Sequence, residues 1–302
     1  MGGGHHHGHD HDHGSAEYNR AFLIGIVLNT VFVTVEAGYG FAANSMALLA
    51  DAGHNLGDVL GLAVAWIGAR LVQRRASPRF TYGLKKSSIL AALVNALLLL
   101  VAVGGIGAEA IRRLLNPEGS DGQVMMAVAA VGIVINAATA LLFARGRKDD
   151  INIRGAYLHM LADAAVSAGV VFAGALILWT GARWIDPATS LIVATIILLG
   201  TWGLLVDSTS MTLAGTPRGI DPRAVGAALE QLPGVTGTHH LHIWPLSTTE
   251  TAMTVHLVVD DNVDRDRILI EASDAVHDRF GIAHSTIQVE RTADHGDDCE
   301  TC

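Results

Sequence analysis

Charged residues are scarce in this chain. They make up 16% of its 302 residues, against about 25% in an ordinary soluble domain, and that shortfall excludes an ordinary water-soluble protein. Cysteine is nearly absent: Cys299 and Cys302 form a single C-x-x-C near the C-terminus, which reads as a metal clamp rather than a structural disulfide. Lysine is rare, three residues beside 17 arginines in a background rich in Ala and Gly, a pattern that fits a GC-rich bacterial genome. No H-E-x-x-H motif occurs, so an intramembrane metalloenzyme lacks the general base it would need. The first 14 residues have no apolar core, which excludes a signal peptide there.

The missing charges are missing in blocks. Ser87–Ala108, Gly122–Ala144 and Pro187–Val206 contain no Asp, Glu, Lys or Arg, and Gly155–Ala182 contains only Asp163. Such lengths match the roughly 20 residues that carry a helix across a bilayer. Six apolar segments follow one another, Ala21–Ala42, Met46–Leu71, Ser88–Leu114, Gly122–Ala144, Ile153–Thr180 and Trp184–Val206, and predict six spans. The first two are interrupted by Glu36, Asp51 and Asp58 and rank below the others by hydropathy. Lys and Arg number ten in the loops after spans two and four but three in the loops on the other side. The excess places loops two and four, and with six spans both termini, in the cytoplasm.

What is abundant is histidine, 15 residues in three groups. Six (His5, His6, His7, His9, His11, His13) crowd the N-terminus among glycines, Asp10 and Asp12, which reads as a metal-collecting tail and not an affinity tag. Two, His54 and His159, lie inside spans, and seven follow Val206. The net charge of −9 divides into +1 over residues 1–206 and −10 over 207–302. An acidic, His-rich end argues against nucleic acid, which needs a basic face, and for cations. From Asp207 the pattern is that of a small soluble domain. Helices are expected at Pro222–Gln231, capped by Asp221, and at Arg265–Arg279, with strands at Thr238–Trp244, Thr251–Val259 and Ser285–Val289. The order αββαβ predicts two helices on one face of a three-stranded sheet, in a domain small enough to gain from dimerisation or bound metal. The expected division is thus a tail over 1–19, a membrane domain over 20–206 and a cytoplasmic domain over 207–302.

Two spans repeat one spacing, His54-Asn-Leu-Gly-Asp58 and His159-Met-Leu-Ala-Asp163. Residues four apart share a helix face, so each span offers an imidazole and a carboxylate to one side. No Lys or Arg lies within either span to neutralise the aspartates, and an unpaired carboxylate in hydrocarbon marks an ion pathway. Two such faces meeting provide two nitrogens and two oxygens, which suits tetrahedral Zn²⁺. Glu36, Asp51, Asn95 and Asn136 are also polar within spans; they read as helix-to-helix hydrogen bonds or as supports of the site and are left out of it. Free imidazole titrates at about 6.5 and ligates metal only when neutral. A site facing alternately the cytosol and an acidic compartment would therefore exchange zinc for protons. A zinc sensor or store anchored by its spans would not need four ionisable ligands at mid-span.

These segments carry a resemblance. Leu48-Leu-Ala-Asp-Ala-Gly-His-Asn-Leu-Gly-Asp58, His159–Asp163, Phe80-Thr-Tyr-Gly83 and His239-His-Leu-His-Ile-Trp244 together resemble the cation diffusion facilitator family in its zinc-transporter branch, specifically the bacterial resistance-type antiporters. The resemblance implies a homodimeric, six-span membrane protein of the lipid bilayer with a ferredoxin-like cytoplasmic domain, exporting Zn²⁺ in exchange for protons. It implies His54, Asp58, His159 and Asp163 as transport ligands, with His54 favouring Zn²⁺ over Cd²⁺. It further implies a cytoplasmic metal set of His239, His256, His284, Cys299 and Cys302, because related vesicular transporters end in a similar Asp-Cys-x-x-Cys; Glu290 is a further candidate. His242 belongs to the His-Ile-Trp strand signature. The extra loop site of some bacterial members is expected to be absent, since Arg70–Gly83 holds neither Asp nor His.

Overall fold

The computed structural model describes residues 13–72, 74–144 and 151–291. Six long helices come first: α1 (His13–Ala42), α2 (Met46–Val72), α3 (Ser87–Leu115), α4 (Gly122–Phe143), α5 (Ile151–Thr180) and α6 (Ile185–Thr212). Then follow α7 (Pro222–Glu230), β1 (Val235–Pro245), β2 (Thr251–Val259), α8 (Arg265–Phe280) and β3 (His284–Glu290). The chain forms two compact units. One holds residues up to 62 together with 98–201, and the other holds 63–97 with 202 onward.

In the first unit the apolar runs become helices whose backbone polar groups are satisfied internally, the condition for crossing hydrocarbon. Among the described residues four helices are long and apolar enough to do so, Ser87–Leu115, Gly122–Leu142, Tyr157–Thr180 and Ile185–Thr212. Val101, Phe172 and Leu199, 75, 66 and 72% exposed, face outward as lipid-facing residues do. The interior holds small residues instead. α2 is the hub: Ala47 and Leu48 pack with Met125, Ala129, Val170 and Ala173 of α4 and α5, and Ala50 with Val103, Val193 and Ala194 of α3 and α6. Its N-terminus is held from a distant part of the chain. Asp186, in the first turn of α6, accepts from Ser45 Oγ at 2.6 Å and from the backbone N–H groups of Met46 and Ala47 at 2.7 and 3.1 Å. α6 continues six residues past its expected end at Val206, through Asp207, whose carboxylate pairs with Arg218 at 2.5 Å. It ends where Ala214 turns left-handed at φ 60°.

In the second unit α7, β1, β2, α8 and β3 realise the αββαβ order. The sheet runs β1-β2-β3, with β1 and β2 antiparallel and β2 and β3 parallel. The parallel step needs a crossover, which α8 supplies. Asp221 caps α7 and Asp264 caps α8, each side chain accepting backbone N–H bonds. Met253, Val255, Leu257 and Val259 alternate onto one face and bury against Val225 and Leu229 of α7 and Ile268, Ala272 and Val276 of α8. Thr254, His256 and Val258 therefore point to the opposite, helix-free face.

Candidate metal sites

α2 and α5 bring the four intramembrane residues together. His54 Nε2 lies 3.2 Å from Asp163 Oδ1, and His159 Nε2 lies 3.2 Å from Asp58 Oδ2. Each histidine thus meets the aspartate of the other helix. Its own i+4 aspartate is a little farther, 3.9 Å for His54 Nδ1 to Asp58 and 3.7 Å for His159 Nε2 to Asp163. His54, Asp58 and Asp163 offer ligand atoms all within 4.8 Å of one another, while His159 approaches from the Asp58 side, its ring 6.1 Å from that of His54. Burial is graded. Asp163 is 2% exposed and His159 44%, so the ligand set opens on the His159 edge. Asp58 Oδ2 and Asp163 Oδ2 are buried without a well-aligned hydrogen bond.

Around this set the other polar span residues tie helices together. Asp51 accepts from Ser167 Oγ of α5 at 3.1 Å, and Asn55 donates to Glu36 of α1 at 3.4 Å. Both acids are fully buried. Asn95 and Asn136 are buried elsewhere in the helices.

A second cluster lies on the helix-free face of the sheet. His239 and His256 are directly paired across β1 and β2, and Glu290 reaches both, 3.1 Å from His239 Nε2 and 2.9 Å from His256 Nδ1. The three offer ligand atoms within 4.8 Å, and His239 Nδ1 is buried with no hydrogen-bond partner among the described residues. Two neutral imidazoles and a carboxylate suit Zn²⁺. Burial pushes the Glu290 carboxyl up, but the hydrogen bond to His239 and the nearby His256 outweigh it and hold it below its ordinary value, ready as an anionic ligand. His240 is pushed down by burial and by the neighbouring imidazoles of His256, His239 and His242.

The remaining candidates stand apart. His284 sits at the opposite end of β3 from Glu290, six residues away or about 20 Å along a strand, so within one protomer it is remote from the His239–His256–Glu290 cluster. It lies instead 3.3 Å from Glu250 Oε2 and 3.2 Å from Lys85 Nζ. His242 is exposed, and its ring lies 6.4 Å from that of His240. Cys299, Cys302, His295 and the N-terminal histidines other than His13 lie outside the described residues; His13 opens α1. Sequence reasoning did not find His240 or Glu250. The cross-sheet position of Glu290 could have been read from parity along β3, but only with the register of β2 and β3 in hand.

Residues 22–213 match the family model described as cation efflux transmembrane domain, and residues 217–292 the one described as cation efflux protein, cytoplasmic domain. The chain is 35% identical to a cadmium, cobalt and zinc/H(+)-K(+) antiporter of Bacillus velezensis, over 100% of this chain and 96% of that protein. It is 35% identical to the zinc transporter ZitB of Escherichia coli, over 93% and 90%, and to the metal cation efflux system protein CzcD of Cupriavidus metallidurans, over 96% and 90%. Among solved structures it is similar to the metal-bound C-terminal domain of the CzcD transporter from that last organism, 35% identical over 24% of this chain and 99% of the other, with a TM-score of 0.22.

Proposed function

From this chain's membership of the cation diffusion facilitator (cation efflux) family we propose that it exports Zn²⁺ from the cytosol in exchange for protons, through His54, Asp58, His159 and Asp163. As a member of that family it is an integral membrane cation transporter. The observation that carries the finer reading is the crossed pairing of the two His-x-x-x-Asp faces, 3.2 Å in both directions. Two imidazoles and two carboxylates around one point form a tetrahedral set for Zn²⁺. A proton on each imidazole removes the lone pair that zinc needs, so the same atoms hold the ion or the protons. In this conformation the ion reaches the site from the His159 edge, where exposure is greatest.

The rest of the assignment follows from charge and hydropathy. All six long helices span, α1 and α2 being made less apolar by the polar residues they bring to the site, and both termini are cytoplasmic. The bacterial relatives support an inner-membrane location. The protein is a homodimer through its 207–302 domain, and a second, structural or regulatory Zn²⁺ is held there by His239, His256 and Glu290. Other divalent ions such as Cd²⁺ and Co²⁺ are secondary substrates.

Purified protein in proteoliposomes under an imposed pH gradient tests the transport site. Wild type is expected to move Zn²⁺ against the proton flow, and Asp58→Ala and Asp163→Ala to lose that flux. Gradient-driven flux persisting in Asp163→Ala would overturn the assignment, and its absence in wild type would favour an anchored zinc sensor. Because the Bacillus relative is named for potassium as well as proton exchange, the same assay is run with K⁺ on either side.

A further inference from the structure

The segment His239-His-Leu-His242 does not run as a regular strand. His239 pairs with His256 and His242 with Thr254, so two residues of β1, His240 and Leu241, oppose the single Val255 of β2. That is a β-bulge. His240 carries it with φ at 52°, the left-handed conformation that glycine adopts freely and other side chains only at a cost. Regular strands send neighbours to opposite faces. Here Leu241 turns inward to the apolar core, while the rings of His239, His240 and His256 gather on the helix-free face. Their centroids form a nearly equilateral triangle with sides of 5.0, 5.0 and 4.9 Å.

That spacing has a chemical meaning. With Zn–N at about 2.0 Å, imidazoles around one tetrahedral ion have ring centroids about 5 Å apart. Glu290 already bridges two of the three rings. As the rings stand, the ligand atoms within 4.8 Å of one another are those of His239, His256 and Glu290; His240 joins them by turning its side chain. Strained backbone that aims a side chain at a cluster of ligands is a recurrent mark of a binding site.

We propose that His240 is the fourth ligand of the cytoplasmic ion, and that the bulge exists to put it there. The site is then a closed tetrahedral set of three histidines and one glutamate, with no position left for water. Closed four-protein-ligand sites hold zinc as a structural ion. This ion is accordingly retained in the domain and is not a waystation for the transported one. The inference rests on the reading of His239, His256 and Glu290 as a metal site.

The test uses the full chain in detergent with the competing donors removed, by Asp58→Ala, Asp163→Ala, Cys299→Ser and Cys302→Ser and by omission of residues 1–12. Into this background go His240→Gly, which relaxes the strained backbone and so preserves the fold, His240→Asn, which also tolerates the left-handed region, and His239→Ala. Co²⁺ is added as the absorbance probe, and Zn²⁺ affinity is read by competition with a chromophoric chelator. Even an outer-shell partner is worth about 10–100-fold in metal affinity, so both His240 variants are expected to bind Zn²⁺ on the order of 100-fold more weakly. They are also expected to lose tetrahedral Co²⁺ intensity. Unchanged binding in the His240 variants with loss in His239→Ala would overturn the proposal and leave the three-ligand site standing. Unchanged binding in all three would overturn both.

Discussion

Asp186 illustrates how one residue far from the ligands can set their position. Its carboxylate is fully buried yet pairs with no cationic side chain among the described residues; it is held by Ser45 Oγ and two backbone N–H groups at the start of α2. Because Asp186 also stands in the first turn of α6, the positive ends of two helix dipoles converge on it. α2 is thereby fixed at its first turn, two turns before His54. Hydrogen bonds to a charged group are worth about 1.5–3 kcal/mol, and Asp186→Ala would strand three donors together. It is expected to destabilise the protein by about 3 kcal/mol, with Asp186→Asn, which keeps one acceptor, costing less. Thermal unfolding in detergent reads both, and an alanine variant melting like wild type would show that the cap contributes nothing. The contrast with the proposed transport ligands is instructive. That His54 and Asp58 share a helix face is legible in sequence because four-residue spacing defines such a face by itself. The bond from Ser45 to Asp186 joins residues 141 apart, and no local period encodes it. His240 is hidden for a related reason: His-His-Leu-His reads as an ordinary alternating strand until the register with β2 reveals the extra residue.

At the scale of elements, what composition reveals is existence and kind, and what it misses is where backbones touch. The six helices and the αββαβ order follow from hydrophobic period and caps, with most ends displaced by a few residues and α1 starting at His13, eight residues before the apolar segment at Ala21. β1 begins at Val235 rather than Thr238 because Val235–Gly237 join the ladder through a second register shift, where no apolar alternation announces a strand. The approach of α4 to α5 is likewise invisible beforehand. A Cβ on Gly122 would stand 2.9 Å from the Gly174 carbonyl oxygen, and one on Gly174 would stand 2.6 Å from Met126 Cγ. Without a hydrophobic drive between helices in lipid, such small-residue contacts are what hold them. Gly122→Ala meets a backbone atom that cannot swing aside, so it is expected to cost about 1–3 kcal/mol by overpacking. Gly104→Ala, in α3 with open space around its Cβ, should melt no lower than wild type. Equal midpoints for the two variants would show that the α4–α5 contact is not tight.

At the scale of the whole molecule, the second unit joins the start of α3 to the C-terminal sheet. Lys85, two residues before α3, pairs with Glu250 in the turn between β1 and β2, and His284 of β3 completes the group. Ser88 Oγ accepts from the backbone N–H of Thr248 in the same turn. The start of α3 is thus fastened to the sheet whose other end carries the His239 cluster. The hydrogen bond from Lys85 holds the Glu250 carboxyl below its ordinary value, and the sign of its pH dependence follows. A depressed carboxyl stabilises the folded state fully above its unfolded value of about 4.3; that stability is lost as pH falls through the lower folded value. Glu250→Gln is therefore expected to lower stability by at most about 1 kcal/mol at neutral pH, since the pair is partly exposed. The difference from wild type should be present at neutral pH, because Glu250 is ionised in both states there, and should vanish in acid as Glu250 is protonated. Denaturant titration of the two proteins at pH 7 and at about pH 3 measures it. A difference that widened toward acid, or none at pH 7, would mean that the fastening resides in the Ser88–Thr248 bond and not in the ion pair.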